Sequence, residues 1–415
     1  MLGLTRTFGA LYLATLLMQL GSTLLMTYLA LRMEADGGAG LKGGALMAAN
    51  SLGMILGAKL GSRLIAGVGH IRTYVACAGL ISAAVLSHAF TAELWFWLLL
   101  RVIVGMAMMC QLMVLESWLN ECAQSHQRGR VLALYMVASY VGMMLGQLVL
   151  TASGELGVLA LIGVAMAFSL CLVPVALTRS MHPAAMEQSA VAVRLFIRRL
   201  PQSLMTVLVS GMINGSFFGL SSIFASKHGL STSQVGLFMA VAIGAGLLAQ
   251  LPLGLLSDRL PRASLIRGVA LLLLAACLTM AWLPDMSLTG MLLLSATVGF
   301  LQFCLYPLGV ALANDNIEPQ LRVSLAGMLL LTFGVGACVG PLLAGVLMEY
   351  LGAAWLYLFC AASAGILTVA VSQQRISGVH LQEGAPLHHQ PLPNGIASST
   401  VAVAELEEGC GSSQQ

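Results

Sequence analysis

The residues of this chain most able to do chemistry are a few charged side chains set beside or inside long apolar stretches. The segment Gly254-Leu-Leu-Ser-Asp258-Arg259-Leu-Pro-Arg262 holds one carboxylate and two guanidinium groups within nine residues. Arg101 and Glu116 lie within a single apolar stretch. Because a charge is costly away from water unless it is paired, such groups mark candidate sites. The chemistry they predict is electrostatic, namely the making and breaking of ion pairs and the transfer of protons.

The surrounding composition predicts a membrane protein. Only 8% of the 415 residues are charged and 59% are hydrophobic, whereas a soluble protein carries roughly a quarter charged residues. A transmembrane helix needs about 20 mostly apolar residues. The predicted fold is therefore an all-α integral membrane protein with twelve transmembrane helices. The stretches that meet this length are 9–31, 43–65, 72–91, 94–117, 131–152, 157–177, 202–224, 233–256, 265–284, 288–313, 323–347 and 353–372.

Basic residues predict the orientation of these spans. Of the 19 Lys and Arg residues, 14 fall in one alternating set of connections, and only Arg32, Lys42 and Lys227 fall in the other. Since cytoplasmic loops are enriched in Lys and Arg, both termini should be cytoplasmic. The net charge of +3 follows from this asymmetry. It gives no reason to expect a nucleic-acid partner.

The longest internal connection, 178–201, divides the chain into two six-helix halves, 1–177 and 202–372. Within it, Arg194–Arg199 predicts either an interfacial helix or a solvated basic linker. Residues 373–415 are rich in Gly, Ser, Gln, Pro and His, and predict a disordered cytoplasmic tail. His380, His388 and His389 lie in this tail without evident partner ligands, so we expect no metal site.

The two halves are internal repeats. A shift of 194 residues aligns 101–147 with 295–341 without a gap. With a two-residue slip, Ser62-Arg63 faces Asp258-Arg259. Parallel six-helix repeats are a known transporter plan, with the substrate near the membrane midplane between them. The matched pairs are Gly105 and Gly299, Asn120 and Asn314, Glu121 and Asp315, Arg128 and Arg322, Gly142 and Gly336, and Gly146 and Gly340.

The charged segment resembles the loop motif G-x-L-x-D-R-x-G-R of major facilitator superfamily transporters, with Pro261 in place of a glycine. The resemblance covers all twelve spans. The segments Glu116–Asn120, Arg128–Met136 and Gly69–Arg72 resemble a group of bacterial permeases without a secure substrate assignment, which implies a bacterial inner membrane. The resemblance of the charged segment implies that the Asp and Arg residues pair across helix ends and help to hold one conformation closed. The first-half copy has Ser62 at the acidic position, so its acid would come from Glu116 or Glu121. The alternative is a charged turn that only sets topology. The predicted cytoplasmic gate comprises Gly254, Asp258, Arg259, Arg262, Arg63, Glu121, Arg128 and Arg322.

Arg101 and Gly105 resemble the R-x-x-x-G element of the fourth span in this superfamily, where the arginine is associated with substrate binding or coupling. The alternative is that Arg101 snorkels to the outer interface. Glu116 is 15 residues further on, about 22 Å along a helix, so the two cannot pair with each other. They could mark the two ends of a polar pathway. Alternatively, Glu116 pairs with Arg128 or Arg130.

Seven amide side chains inside the spans should face the interior of the bundle rather than lipid. Each could contact substrate or serve as a hydrogen bond between helices. They are Gln19, Asn50, Gln111, Gln147, Asn214, Gln250 and Gln302.

A G-x-x-x-G-P element, typical of the fifth span of superfamily antiporters, occurs here at Gly336–Pro341 in the eleventh span. In the fifth span, Gln147 stands at the proline position. This departure weakens an antiporter interpretation.

These observations predict a secondary active transporter of a small solute that works by alternating access, with protons as the favoured coupling ion. Efflux of small amphipathic compounds is slightly favoured because few charges flank the predicted cavity. A second hypothesis is a sensor or scaffold that has lost transport. A membrane-embedded enzyme is disfavoured because no cluster of catalytic residues is visible. We expect no cofactor, a lipid bilayer around the chain, and a monomer.

Overall fold

The computed structural model of the protein describes residues 2–35, 37, 40–123, 127–153, 157–176, 193–282 and 287–371. The predicted tail and most of the 178–201 connection lie outside these residues. Throughout the described ranges, the long elements are α-helices. In chain order they are α1 Leu2–Ala35, α2 Gly40–Val68, α3 His70–Ser87, α4 Leu94–Cys122, α5 Arg128–Ser153, α6 Val158–Leu170, α7 Leu172–Ala176, α8 Val193–Arg199, α9 Pro201–Lys227, α10 Thr232–Ser257, α11 Arg262–Trp282, α12 Leu288–Asp315, α13 Arg322–Leu351 and α14 Trp355–Ala370.

Among the described residues, eleven helical segments are long and apolar enough to cross a membrane. They correspond to the first eleven predicted spans, and α14 is the shorter twelfth, with 16 residues. The sixth span is interrupted at Cys171, where α6 ends and α7 begins. Pro174 accounts for the break because it has no N–H to donate to the carbonyl of Leu170. The twelve spans form two six-helix halves, in the 6+6 arrangement that the sequence predicts.

Alternating helix directions give the bundle two ends. The Glu34 end carries the connections that follow α1, α3, α5, α9, α11 and α13. The Asp258 end carries the connections that follow α2, α4, α10 and α12, together with α8.

Glycines at equivalent positions let helices cross closely within each half. Gly105 of α4 packs on the carbonyl of Asn50 in α2, and Gly299 of α12 packs on that of Ala242 in α10. A Cβ at either glycine would fall well inside contact distance of that oxygen. Gly142 meets Leu16 of α1 as Gly336 meets Leu208 of α9, and Gly146 meets Leu20 as Gly340 meets Met212. The two halves therefore share equivalent helix–helix contacts as well as similar sequence positions.

These contacts correct the predicted alignment of the charged loops. Asn50 and Ala242 are 192 residues apart, and so are His70 and Arg262, the first residues of α3 and α11. At this spacing the residue equivalent to Asp258 is Ala66, not Ser62. The predicted pairing of Ser62 with Asp258 shifts the alignment in the wrong direction relative to the 194-residue offset. Only two residues, Ser62 and Arg63, supported it in the sequence. The first copy still lacks an acid at that position.

The halves meet mainly where α2 packs on α13 and where α5 packs on α10. The described part of the connection between the halves, α8, packs mainly on the second half. Phe196 is fully buried in a cluster with Leu204 and Leu325, and the guanidinium of Arg199 bonds the Glu318 carboxylate at 2.9 Å. α8 is therefore helical, as one of the two hypotheses held, and one of its faces is docked on protein.

Candidate transport site

The two halves are joined at the Glu34 end by reciprocal carboxylate contacts. Glu34, at the end of α1, accepts a hydrogen bond from the Ser226 hydroxyl of α9 at 2.9 Å. Glu349, near the end of α13, accepts one at 2.9 Å from the backbone N–H of Gly40, the first residue of α2. That N–H has no partner within its own helix. Each half thus supplies one carboxylate to the other.

Small residues extend this contact along α2, and we call the α2 face from Gly40 to Ile55, with its partners on α9 and α13, the seam. Gly40 lies against the Gly345 carbonyl, and a Cβ there would be 2.6 Å from that oxygen. Gly44 packs on the Pro341 carbonyl, and Ile55 packs on Gly334. The residues from Gly40 to Ile55 cover about 22 Å of helix. The halves are therefore closed against each other from the Glu34 end to mid-depth.

The α5–α10 side is closed in a similar way. A Cβ on Gly236 of α10 would be 2.7 Å from the Gln147 carbonyl of α5. Deeper in the bundle, Tyr140 of α5 meets Phe303 of α12 edge to face, with ring centroids 5.6 Å apart. Phe303 also contacts the rings of Phe217 and Phe218 of α9, both at 6.1 Å. An aromatic cluster drawn from both halves thus lies near the centre of the bundle.

Arg101 is enclosed within the first half. Its side chain is 1% exposed, and its guanidinium contacts the Met26 sulfur of α1. Snorkelling to the outer interface is therefore not what the structure shows. In the connection after α3, the ring N–H of His88 donates to the Ala84 carbonyl at 2.9 Å. Burial, helped by the nearby charge of Arg101, lowers the pKa of His88 to about 4.

Glu116 is equally buried, further along α4. The Tyr135 hydroxyl of α5 donates to its carboxylate at 3.2 Å. The Tyr306 hydroxyl, from α12 of the other half, lies close enough to interact with this charge. Arg130, one proposed partner of Glu116, is exposed. Glu116 thus lies where the halves face each other.

The described residues of the predicted gate differ in burial. Arg262 is buried and makes a 3.0 Å ion pair with Asp315, at the end of α12. Asp258, Arg259 and Arg63 are exposed. Gly254 lies in the last turn of α10, and Arg322 is buried at the start of α13. The side chains of Glu121 and Arg128 lie outside what the structure describes.

Asp315 is a residue that the prediction missed, although a signal for it existed. It is the repeat partner of Glu121, which was included in the predicted gate. In the first half, His70 takes the place of Arg262, and its ring nitrogen bonds the Ser117 hydroxyl at 3.1 Å. Among the described contacts, Arg262 makes a buried ion pair at the start of α11, and His70 makes a hydrogen bond to Ser117 at the start of α3.

The seven predicted amides are all buried, but the structure separates their roles. Gln147 donates to the Thr27 hydroxyl at 2.9 Å, which joins α5 to α1. Gln250 donates to the Phe303 carbonyl at 3.4 Å, which joins α10 to α12. These two amides connect helices within a half.

The other five amides have different surroundings. Asn214 bonds the Ser210 carbonyl of its own helix, Asn50 contacts the Met54 sulfur of its own helix, and Gln111 contacts the Cys171 sulfur. The amide nitrogens of Gln19 and Gln302 are buried without a hydrogen-bond partner. Gln19 and Gln302 therefore each keep an amide N–H group able to donate a further hydrogen bond.

Among the described residues, no group of three or more His, Cys, Asp or Glu side chains could hold a metal ion. A groove of about 530 Å³ lies between α10, α11 and α12, lined by residues such as Leu272, Thr279 and Phe300. It is apolar, and none of the predicted site residues lines it.

Comparisons with known proteins agree with this architecture. A family model described as Major Facilitator Superfamily matches residues 11–327 and 203–394. An uncharacterized MFS-type transporter of Enterobacter sp. (strain 638) is 30% identical over 302 residues, covering 72% of this chain and 77% of that protein. The uncharacterized MFS-type transporter YcaD of Salmonella enteritidis PT4 (strain P125109) is also 30% identical, over 300 residues, with the same coverage.

Solved structures show the same fold at low sequence identity. The nucleoside transporter NupG superposes with a TM-score of 0.75 at 16% identity, covering 87% of this chain and 97% of that chain. A bacterial homologue of the human lysosomal transporter Spinster, in an inward-facing and unoccupied conformation, gives a TM-score of 0.67 at 15% identity. That match covers 97% of this chain and 95% of the other.

Proposed function

Since the chain belongs to the major facilitator superfamily and is a multi-pass membrane transporter, we propose that it moves a small solute by alternating access, coupled to protons. The observation that carries the proposal is the seam, which closes the halves against each other from the Glu34 end to mid-depth. An interface of this kind can close one end of the bundle. Rocking of one half against the other would then open the opposite side.

We further propose the orientation, with the Glu34 end outside, both termini in the cytoplasm and the protein in the bacterial inner membrane. The distribution of basic residues supports this choice. In this orientation the seam is an external closure, and the solute reaches the centre from the cytoplasm. We propose the units 1–177 and 202–372 as the moving halves, joined by 178–201 and followed by the tail 373–415, in a protein that works as a monomer.

We assign proton coupling to Glu116 and a supporting electrostatic role to Arg101. A carboxylate at this position, bonded by the Tyr135 hydroxyl, can change protonation as the halves separate and water enters. A buried Arg101 raises the cost of bringing a second positive charge into the first half. Charged residues at such depth are usually functional.

For the solute itself, Gln19, Gln302 and the aromatic cluster offer amide groups and ring faces without a net charge. This set suits a small amphipathic compound, and we propose efflux as its direction. Arg262, Asp315, Asp258 and Arg322 form the proposed cytoplasmic gate on the second half.

The test starts with a thermal-shift screen of the purified protein against a panel of small amphipathic compounds. Compounds that stabilise the protein are then followed in proteoliposomes, with and without a pH gradient. Glu116→Gln should remove the response to the gradient but keep exchange of the compound. Glu93→Gln, at the exposed start of α4, is the matched control and should behave like the unmodified protein.

Each outcome has a defined meaning. Full gradient-driven flux in Glu116→Gln or in Arg101→Ala removes that residue from the coupling mechanism. Flux that ignores the gradient in the unmodified protein rejects proton coupling. Stabilising compounds that are never transported favour the sensor or scaffold hypothesis instead.

A further inference from the structure

Pro341 leaves a carbonyl of α13 without its helical partner. In an α-helix, the N–H of residue 341 would bond the carbonyl of residue 337, but proline has no N–H. The Ala337 carbonyl instead accepts a hydrogen bond from the Ser51 hydroxyl of α2 at 3.0 Å. Ser51 is 3% exposed and Ala337 5%. The donor and the acceptor belong to different halves, so this bond crosses the seam.

The second pseudo-symmetric interface, between α5 and α10, has neither part of this arrangement. Gln147 occupies the position equivalent to Pro341, and Ile243 the position equivalent to Ser51. The equivalence rests on contacts, because Gly44 packs on the Pro341 carbonyl as Gly236 packs on the Gln147 carbonyl. The proline and the hydroxyl therefore occur together at the α2–α13 interface, and both are absent from the equivalent positions of the α5–α10 interface.

The carbonyl equivalent to that of Ala337 has a different partner. Met143 of α5 accepts a hydrogen bond at 3.0 Å from the Thr23 hydroxyl of α1, which is in its own half. The α5–α10 contact can therefore separate without breaking this bond. On the α2–α13 side, separation would break the bond between Ser51 and the Ala337 carbonyl, so the closed arrangement gains the net worth of one hydrogen bond.

We propose that Ser51 and the Ala337 carbonyl freed by Pro341 form a latch, the Ser51 latch, which stabilises the conformation closed at the Glu34 end. The proposal rests on the alternating-access function given above. Ser51 is thereby a positioning residue of the transport cycle, because it acts through the relative placement of the halves. The latch also makes the two interfaces between the halves unequal, because the α2–α13 interface has a hydrogen bond to break on separation and the equivalent bond at the α5–α10 interface lies within one half.

The test measures how often the Glu34 end is closed. Nitroxide labels replace Leu159 of α6 and Trp282 of α11, which are 81% and 75% exposed at that end on different halves. The labels are placed in a variant without native cysteines, and their separation is measured by pulsed electron spin resonance. Ser51→Ala should raise the ratio of open to closed molecules by about two- to tenfold, the usual worth of one hydrogen bond.

A double-mutant cycle separates the latch from a general loss of packing. Pro341→Ala returns an N–H to the Ala337 carbonyl, so the carbonyl no longer needs Ser51 and the open population should rise here too. Adding Ser51→Ala to Pro341→Ala should then change the ratio little, because both changes break the same bond. If Ser51→Ala cannot be purified, the shift in Pro341→Ala alone carries the test.

The second half contains a matched control. Pro307 frees the Phe303 carbonyl, and Gln250 donates to it at 3.4 Å, all within one half. Gln250→Ala should lower thermal stability without changing the separation of the labels. A label shift as large as that of Ser51→Ala would overturn the latch, because any lost interhelical bond would then act alike.

Two failures remain distinguishable. If no condition or variant yields a second population, alternating access itself is refuted for this protein. If two populations exist but Ser51→Ala leaves their ratio unchanged, or adds fully to Pro341→Ala, the Ser51 latch is refuted and alternating access stands.

Discussion

Two ion pairs at the Asp258 end have nearly the same length but very different burial. Arg262 and Asp315 are 3.0 Å apart, with side chains 3% and 8% exposed. Arg199 and Glu318 are 2.9 Å apart, with side chains 29% and 42% exposed. At about 3 Å, the attraction between unit charges is about 5.5 kcal/mol at an effective dielectric constant of about 20, and about 1.4 kcal/mol in water. The two pairs thus form a matched comparison.

We predict that Asp315→Asn destabilises the protein several times more than Glu318→Gln does. Removing one partner of a buried pair leaves a charge without compensation and costs about 3–5 kcal/mol. Breaking an exposed pair costs about 0–1 kcal/mol because water and salt screen it. The apparent melting temperature of the purified protein in detergent, followed by tryptophan fluorescence, reports both changes.

The double variant Arg262→Gln/Asp315→Asn should be more stable than Asp315→Asn alone, since it removes both charges of this pair. Equal losses from Asp315→Asn and Glu318→Gln would refute the reasoning. So would a double variant less stable than the single one.

Two further predictions concern stability. Gly105→Ala should lower the melting temperature strongly, because its Cβ would overlap the Asn50 carbonyl, whereas Gly79→Ala meets nothing within 4 Å and should be neutral or slightly stabilising. Similar melting temperatures for the two variants would contradict the tight crossing. His88 has a folded-state pKa of about 4, below the ordinary 6.5, so its contribution to stability is present above pH 6.5 and is lost as the pH falls toward 4. Between pH 7 and pH 4, His88→Gln should therefore lose about 2–3 kcal/mol less unfolding free energy than the unmodified protein. Melting temperatures measured across this pH range check the prediction, and an unchanged pH dependence would contradict this assignment.

The sequence predicted the large-scale organisation well because that organisation depends on local composition. Apolar length and the scarcity of charge mark each span independently of every other span. The repeat glycines, such as Gly105 and Gly299, were also recognisable, and they occupy equivalent helix crossings. The break at Cys171 was not predicted, because an apolar run does not show where a proline such as Pro174 will end a helix.

The details of the site were harder to predict because they depend on pairs distant in the chain. The role of Ser51 depends on Pro341, almost 300 residues away, and neither residue is unusual alone. The equivalence of Ser62 with Asp258 was wrong because too few residues match in the charged loops to determine a register. Asp315 could have been found by following Glu121 across the repeat. Gln147 and Gln250 could not be separated from the other amides without knowing their neighbours.

The most direct test of the central claim compares both ends of the unmodified bundle. One label pair replaces Leu159 and Trp282 at the Glu34 end, and a second replaces Val68 and Leu260, both exposed, at the Asp258 end. Separations are measured at several pH values and with each stabilising compound. Alternating access predicts that conditions which lengthen one separation shorten the other, with the Glu34 end mainly closed in the absence of compound. Separations that stay fixed at both ends, or lengthen together, would contradict the account.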